Sequence, residues 1–344
     1  MTIRTALVGY GMGGRFFHAP FVAADPDLEL AVVVTSNPGR AAHVRAEHPG
    51  AEVVADLETL LARAADLGLE LGIVSTPPIG HATQATALLD AGLHVVVDKP
   101  LTVTSEGARA LVALAERVGR TLAPYQNRRW DGDFLTLRRL VDDGELGRVR
   151  RFESRFERWK PAETRAWKAA ASTSGAGVLY DLGAHLIDQA LLLLGPVEEV
   201  YAEIRTLREG SGADDDTFVA LRHRDGAISH LWMSAVAPQR GPRFRVLGSR
   251  AGFTSWGLDP IEAELAAGRR PGQPGVGQRA EDADAQVGVA EEQRSVPLDR
   301  ADYGAFYRAM AQAISTGAAP PVDPRNSVAV IELTERLHRE FSPR

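Results

Sequence analysis

Ile3-Arg4-Thr5-Ala6-Leu7-Val8-Gly9-Tyr10-Gly11-Met12-Gly13-Gly14 is a short, mostly apolar run that breaks into glycines. Its length and content suit a buried parallel strand, and Gly9, Gly11 and Gly14 keep the spacing G-x-G-x-x-G directly behind it. In a dinucleotide loop the first glycine permits the tight turn, the second lets backbone approach a pyrophosphate, and the third lets a helix close on the strand. The amides and dipole of that helix then hold the anion. A glycine-rich turn of no special purpose is the competing reading. The strand before it and the helical pattern after it favour the dinucleotide loop, with Tyr10, Met12 and Gly13 in its path.

Outward from this loop, Leu28 to Val34, Leu71 to Val74 and His94 to Val97 read as further buried strands. Helical patterns lie at Leu57 to Ala65, His81 to Ala91 and Ser105 to Val118, the last opening on a serine able to cap it and closing before Gly119. Arg120 to Tyr125 supplies a last strand. This alternation predicts an α/β chain whose N-terminal part, 1–122, is a Rossmann domain built on a doubly wound parallel sheet.

The remainder, 123–344, changes character. Helices around Phe134 to Val141 and from about Gly177 to Leu194 accompany a strand at Val149 to Phe156. Then Tyr201 to Leu207, Thr217 to His223, Ala227 to Ser234 and Phe244 to Leu247 alternate apolar and polar residues, with Asp225-Gly226 as a hairpin signal. The prediction is an α+β domain with a large, mainly antiparallel open sheet. Gly268 to Glu292, rich in Gly, Pro, Gln, Asp and Glu, reads as a long loop or lid. Helices at Tyr303 to Ser315 and Asn326 to Glu340 end the chain.

Composition sets limits on function. A length of 344 residues, with 44% hydrophobic and 24% charged, fits two ordinary globular domains. A net charge of -6 without a basic stripe points away from nucleic acid. The absence of cysteine removes disulfides and thiolate chemistry. With no signal peptide pattern and no apolar run that would cross a bilayer, a cytoplasmic protein that engages no membrane is expected.

The end of the second strand governs which dinucleotide is held, because a carboxylate there bonds the adenine ribose of NAD. Here Val34-Thr35-Ser36-Asn37-Pro38-Gly39-Arg40 has none. Ser36, Asn37 and Arg40 are candidates to contact a 2'-phosphate, which predicts NADP, with NAD as the alternative. The competing reading makes Arg40 a solvated residue opening the next helix.

Two further stretches carry titratable groups. Val97-Asp98-Lys99-Pro100 ends a buried strand at the sheet edge where open α/β sheets bind ligands, and a partly desolvated lysine there can act as acid or base. A structural ion pair is the competing reading. In Gly175-Ala176-Gly177-Val178-Leu179-Tyr180-Asp181-Leu182-Gly183-Ala184-His185, Asp181 and His185 stand four apart, on one face of a helix. Such a pair suits proton relay. Metal ligation is the alternative, but no third and fourth ligand stand nearby in sequence, so no metal is expected. Arg128, Trp130, Arg155, Arg158, Trp159 and Trp167 are candidates to line a substrate cleft, or else are surface charges and core aromatics.

Taken together, the glycine loop, Asp98-Lys99-Pro100 and the 177–188 run resemble the Gfo/Idh/MocA family, which includes glucose-fructose oxidoreductase and inositol dehydrogenase. The resemblance implies hydride transfer between nicotinamide C4 and a hydroxyl or carbonyl carbon of a polyol, cyclitol or sugar. It implies catalytic roles for Lys99, Asp181 and His185. Thr76, Pro77, His81, Asp98 and Asn127 join Gly9 to Gly14 beside the cofactor, and Tyr180 joins the substrate side. The family triplet is usually Glu-Lys-Pro, so Asp98 is one methylene short, and Thr76-Pro77-Pro78 lacks the usual asparagine. Phe17-His18-Ala19-Pro20-Phe21 and Asn127-Arg128-Arg129-Trp130-Asp131 are similar to a bacterial branch with NADP-dependent scyllo-inositol dehydrogenases, with Gln126 where that branch carries histidine. A cis Lys99-Pro100 bond and a homodimer or homotetramer formed through the C-terminal sheet are likewise implied. Two other activities are compatible with the pattern: a redox-assisted glycosidase and a dinucleotide sensor without turnover.

Overall fold

In the computed structural model, which describes residues 2–162, 175–280 and 283–342, the apolar runs of the first third form β1 (Ile3–Val8), β2 (Leu28–Val34), β3 (Glu52–Val54), β4 (Leu71–Val74), β5 (His94–Val97) and β6 (Leu122–Pro124). They pair in parallel in the order β3-β2-β1-β4-β5-β6. The helices between them are α1 (Ala19–Ala24), α2 (Pro38–Glu47), α3 (Leu57–Arg63), α4 (His81–Asp90) and α5 (Ser105–Val118). β1 is central, with β2 on one side and β4 on the other, so the loops leaving β1 and β4 diverge at the point where such sheets take their ligands. The cap of α5 differs from expectation. Thr104, not Ser105, accepts from the Gly107 amide at 3.1 Å, because Thr104 is the last residue in extended conformation and so the first able to reach an orphan helix amide.

Beyond residue 127 come α6 (Gly132–Asp142), β7 (Val149–Glu157), α7 (Ala184–Leu194), β8 (Val197–Arg205), β9 (Asp216–His223), β10 (Ile228–Ser234), β11 (Phe244–Gly248), β12 (Gly252–Ser255), β13 (Ala285–Val289) and β14 (Glu292–Val296). The eight strands run in the order β14-β13-β12-β11-β7-β10-β9-β8. Only β7 and β10 are parallel. Gly226, at φ +88°, turns β9 into β10 as the Asp225-Gly226 signal predicts. One face is packed: Phe134, Phe152, Phe156, Phe244 and Phe253 are fully buried. The expected loop through Glu292 is corrected by the β13–β14 hairpin. Its inward residues are Ala285, Val287 and Val296, an alternation too short and too interrupted by polar residues to stand out before β12 pairs with it.

By contact the chain divides into Met1–Asn127 with Ile261–Val276 and Asp302–Val328, and Arg128–Pro260 with Gly277–Ala301 and Ala329–Arg344. Two late segments thus return to the first unit. They carry α8 (Ile261–Ala266) and α9 (Gly304–Thr316), while α10 (Pro324–Phe341) contains the last division. Aromatic burial explains the return of α9: Phe306 lies edge-on to Tyr125 at 4.8 Å and Tyr307 stacks on Phe21 at 6.5 Å. Among the described residues no helix is long and apolar enough to cross a membrane.

Within the second unit, Arg129 grips Asp188 of α7 with two parallel bonds of 2.7 and 2.6 Å. Both side chains are almost wholly removed from water. Removing one partner leaves a buried charge, so Arg129→Met is expected to lose about 3–5 kcal/mol. The exposed pair Arg325–Glu116 is the control, and Arg325→Met is expected to change stability by less than about 1 kcal/mol. Urea unfolding midpoints compare the two.

Candidate active site

The glycine loop has the form that bare backbone alone allows. Gly9 sits at φ +100°, and a Cβ there would lie 2.3 Å from the Ser75 carbonyl oxygen. A Cβ on Gly14 would lie 2.1 Å from the Gly9 carbonyl oxygen, whereas nothing stands within 4 Å of that position on Gly11. The turn is closed beneath and open above Gly11, which fits a pyrophosphate laid against amides. Met12 is about half exposed beside it. Tyr10 turns inward instead: it is buried and its hydroxyl donates to Glu47 at 2.8 Å. Burial and that carboxylate push the Tyr10 phenol well above its usual range, and Arg15 also binds Glu47. Tyr10 therefore anchors the loop to α2, and its backbone is what remains for a ligand.

At the end of β2, Ser36, Asn37 and Arg40 are all exposed. Asn37 is also the cap of α2, its side-chain oxygen accepting from the Arg40 amide at 3.0 Å. At the end of β4, the Thr76 hydroxyl donates to Gln84 at 2.6 Å. Pro77 precedes a short turn of helix. His81 is fully buried, with Nδ1 2.8 Å from the Pro100 carbonyl oxygen and Nε2 2.8 Å from that of Thr76. Its ring clamps two loops together and presents no open edge.

Asp98 and Lys99 follow β5, and the Lys99-Pro100 bond is cis. The Lys99 amide donates to Asp98 Oδ1 at 2.8 Å, and the Ser75 hydroxyl donates to Oδ2 at 3.1 Å. His18 Nε2 approaches the same Oδ2 at 3.4 Å. Burial works to raise the Asp98 carboxyl, but the His18 hydrogen bond and the electrostatics of His18, His81 and Lys99 outweigh it and hold the group at about 2. A Cβ on Gly13 would stand 2.8 Å from Oδ2, so this carboxylate lies directly against the glycine loop. In the sequence His18 stands out only as part of the run Phe17-His18-Ala19-Pro20-Phe21. Its burial between strand ends gives no periodic signal.

In the second unit the helix expected from Gly177 is in two parts. Leu179–Gly183 winds as a wider, π-helical turn and α7 follows. Asp181 stands in that widened turn and His185 in the first turn of α7. Asp181 is partly exposed and His185 is buried. Tyr180 is buried and stacks on His338 at 5.3 Å; burial first, then Glu335 and Asp214, push its phenol up to about 12. α7 also fastens the Arg128 segment. Besides Asp188 on Arg129, the Gln189 amide donates to the Arg128 carbonyl at 2.9 Å and accepts from Arg243 at 3.1 Å. α7, which carries His185, thus holds the segment of Arg128 and Arg129 in place. Arg128 and Arg158 lie over the Phe156 ring at 4.7 and 4.5 Å. Arg155 lies over Trp232, and Trp159 is exposed. Asn127, buried, closes the first unit. Trp167 lies outside the described residues. Among the described residues no group of three or more His, Cys, Asp or Glu could hold a metal ion.

A parallel six-stranded sheet headed by an open glycine turn, with a second large sheet in the same chain, defines a dinucleotide-binding oxidoreductase fold. The comparisons narrow it. The family description "Oxidoreductase family, NAD-binding Rossmann fold" matches residues 3–126, and "GFO/IDH/MocA C-terminal domain" matches residues 134–254. The chain belongs to the GFO/IDH/MocA family of NAD-binding oxidoreductases. It is 38% identical to the uncharacterized oxidoreductase YdgJ of Escherichia coli (strain K12), over 97% of this chain and 94% of that protein. It is 33% identical to the scyllo-inositol 2-dehydrogenase (NADP(+)) IolW of Bacillus subtilis (strain 168), over 97% and 92%. The solved structure of the Bacillus subtilis oxidoreductase yvaA superimposes with a TM-score of 0.91 at 31% identity, covering 98% of this chain and 97% of that one.

Asp214 holds the start of the Tyr180–Asp181 turn. Its Oδ2 accepts from the Leu179 amide at 2.8 Å and from the Thr217 hydroxyl at 3.0 Å. Burial pushes this carboxyl up to about 6 from an ordinary 3.8, against the pull of those two bonds. Between these values the folded chain keeps a proton that the unfolded chain has released, so the contribution of Asp214 to stability falls as pH rises through the window. Asp214→Asn, which retains an acceptor for Leu179, is expected to flatten that fall. Urea unfolding on either side of the window measures it, and equal slopes in wild type and variant would refute the assignment.

Proposed function

We propose that the protein is a dehydrogenase/reductase that prefers NADP and acts on a CH–OH carbon of a polyol, an inositol-like cyclitol or a sugar. The observation that carries the reading is Asp98-Lys99: an acid–base side chain leaves the backbone where its neighbour's carboxylate abuts Gly13 of the glycine loop. Backbone from Gly9 to Gly14 holds the pyrophosphate, and Thr76 and Pro77 border it. A bound nicotinamide supplies the acceptor or donor of hydride. Lys99 takes the hydroxyl proton in oxidation and returns it in reduction, and Asp181 orients His185 as the alternative proton carrier. Arg128, Trp130 and Arg158 meet the hydroxyls of the substrate.

NADP is favoured because Ser36 and Arg40 stand exposed at the end of β2 and no carboxylate is there to repel a 2'-phosphate. The printed name of IolW, which joins NADP(+) to scyllo-inositol, supports both cofactor and substrate class. The same reading makes the protein a cytoplasmic homodimer or homotetramer, joined through the sheet face that exposes Tyr201.

The test is reduced-nicotinamide absorbance with a panel of inositols, sugars and keto-sugars, with NAD or NADP, beside Lys99→Ala. Turnover that falls by about 100-fold or more in Lys99→Ala is expected. Release of free sugar from a nitrophenyl glycoside instead would favour the glycosidase. Arg40→Ala is expected to weaken NADP binding by about tenfold or more and leave NAD nearly unchanged. Equal losses for both dinucleotides in titrations would remove Arg40 from the phosphate.

A further inference from the structure

His18 is fully buried, although histidine is a costly residue to bury without partners. It ends a π-helical turn, Gly13–His18, in which the Ala19 amide reaches back five residues to the Gly14 carbonyl. Such a turn advances the chain by an extra residue within the helix and redirects one side chain. The redirected ring lies 4.4 Å from the ring of Tyr125. Its Nδ1 is 2.5 Å from the Tyr307 hydroxyl and its Nε2 is 3.4 Å from Asp98 Oδ2.

Nε2 faces a carboxylate that can only accept, so the proton lies on Nε2 and His18 donates to Asp98. In the neutral ring Nδ1 is then the acceptor for the Tyr307 hydroxyl. Ser75 donates to the same Asp98 oxygen, and the other oxygen holds the Lys99 amide. With His18, Ser75 and Lys99 all donating, the Asp98 carboxylate has one orientation, and the backbone that carries Lys99 has one place.

We propose that His18 is a positioning residue: with Tyr307 behind it, it holds Asp98 against the glycine loop and so sets where Lys99 is delivered. The proposal rests on Lys99 being the proton-transfer residue of the preceding section. A misplacement of about 1 Å at such a group costs about 100-fold in rate, which is the scale on which His18 acts.

The chain has only three lysines, Lys99, Lys160 and Lys168, so the reactivity of Lys99 can be read without turnover. The dinucleotide-free protein is treated with an amine-acylating reagent, and each lysine peptide is followed by mass spectrometry. His18→Leu is expected to change the Lys99 rate by about fivefold or more, to leave Lys160 unchanged, and to lower kcat by about tenfold or more. KM for the dinucleotide is expected to move far less. His18→Gln, whose amide nitrogen can still donate to Asp98, is expected to recover most of both. If His18→Leu fails to fold, Tyr307→Phe, which removes only the outer donor, is expected to shift the Lys99 rate in the same direction. Lys99 acylation and kcat within about twofold of wild type in the folded variants would overturn the proposal. Undiminished turnover in Lys99→Ala would instead overturn the Lys99 assignment, while the acylation rates would still report whether His18 places that side chain.

Discussion

The carbonyl oxygen of Ser75 lies where a Cβ on residue 9 would be, and that of Gly9 lies where a Cβ on residue 14 would be. Two backbone segments are therefore pressed together at the head of β1 more closely than any side chain permits. The approach lets the first helix begin directly beneath the strand end, with its amides facing the open turn at Gly11. It also fixes where the widened turn begins, and that turn delivers His18 to Asp98. The anion cradle and the placing of Lys99 are thus consequences of one steric constraint.

The second unit solves a similar problem with charge and hydrogen bonds. Arg129 on Asp188 and Gln189 between Arg128 and Arg243 tie an irregular segment to α7. Burying such groups is costly unless each is paired, and the pairing fixes the Arg128–Arg129 segment on α7, the helix that carries His185. Asp214 fixes the start of the turn before α7 through the Leu179 amide. Both units place a widened helical turn at the candidate residues, Gly13–His18 in one and Leu179–Gly183 in the other. Turns of this kind interrupt regular periodicity and are retained where a side chain must be redirected.

Much of the architecture was legible in advance. β1, β2, β4 and β5 were readable as uninterrupted apolar runs because a parallel sheet is covered on both faces, and β9 and β10 as alternation because one face of an antiparallel sheet is not. The β13–β14 hairpin carries no such signal, since its few inward residues acquire meaning only when β12 is beside them. At the site, the glycines, Lys99, Asp181 and His185 stood out by type and spacing. Tyr10, Tyr180 and His81 stood among them as equals, yet the structure engages their side chains with Glu47, with His338, and with the Thr76 and Pro100 carbonyls.

Sequence by itself determined the strand alternation, the glycine turn and the residue types able to move a proton, because each depends on neighbours a few positions away. Tertiary structure alone decided what those residues do with their side chains. His18 meets Tyr307 across 289 positions of chain, and Asp98 lies against Gly13 because two strand ends converge. Contacts of that span arise from packing of the aromatic cluster around α9 and from close backbone approach, and neither has a local period to read.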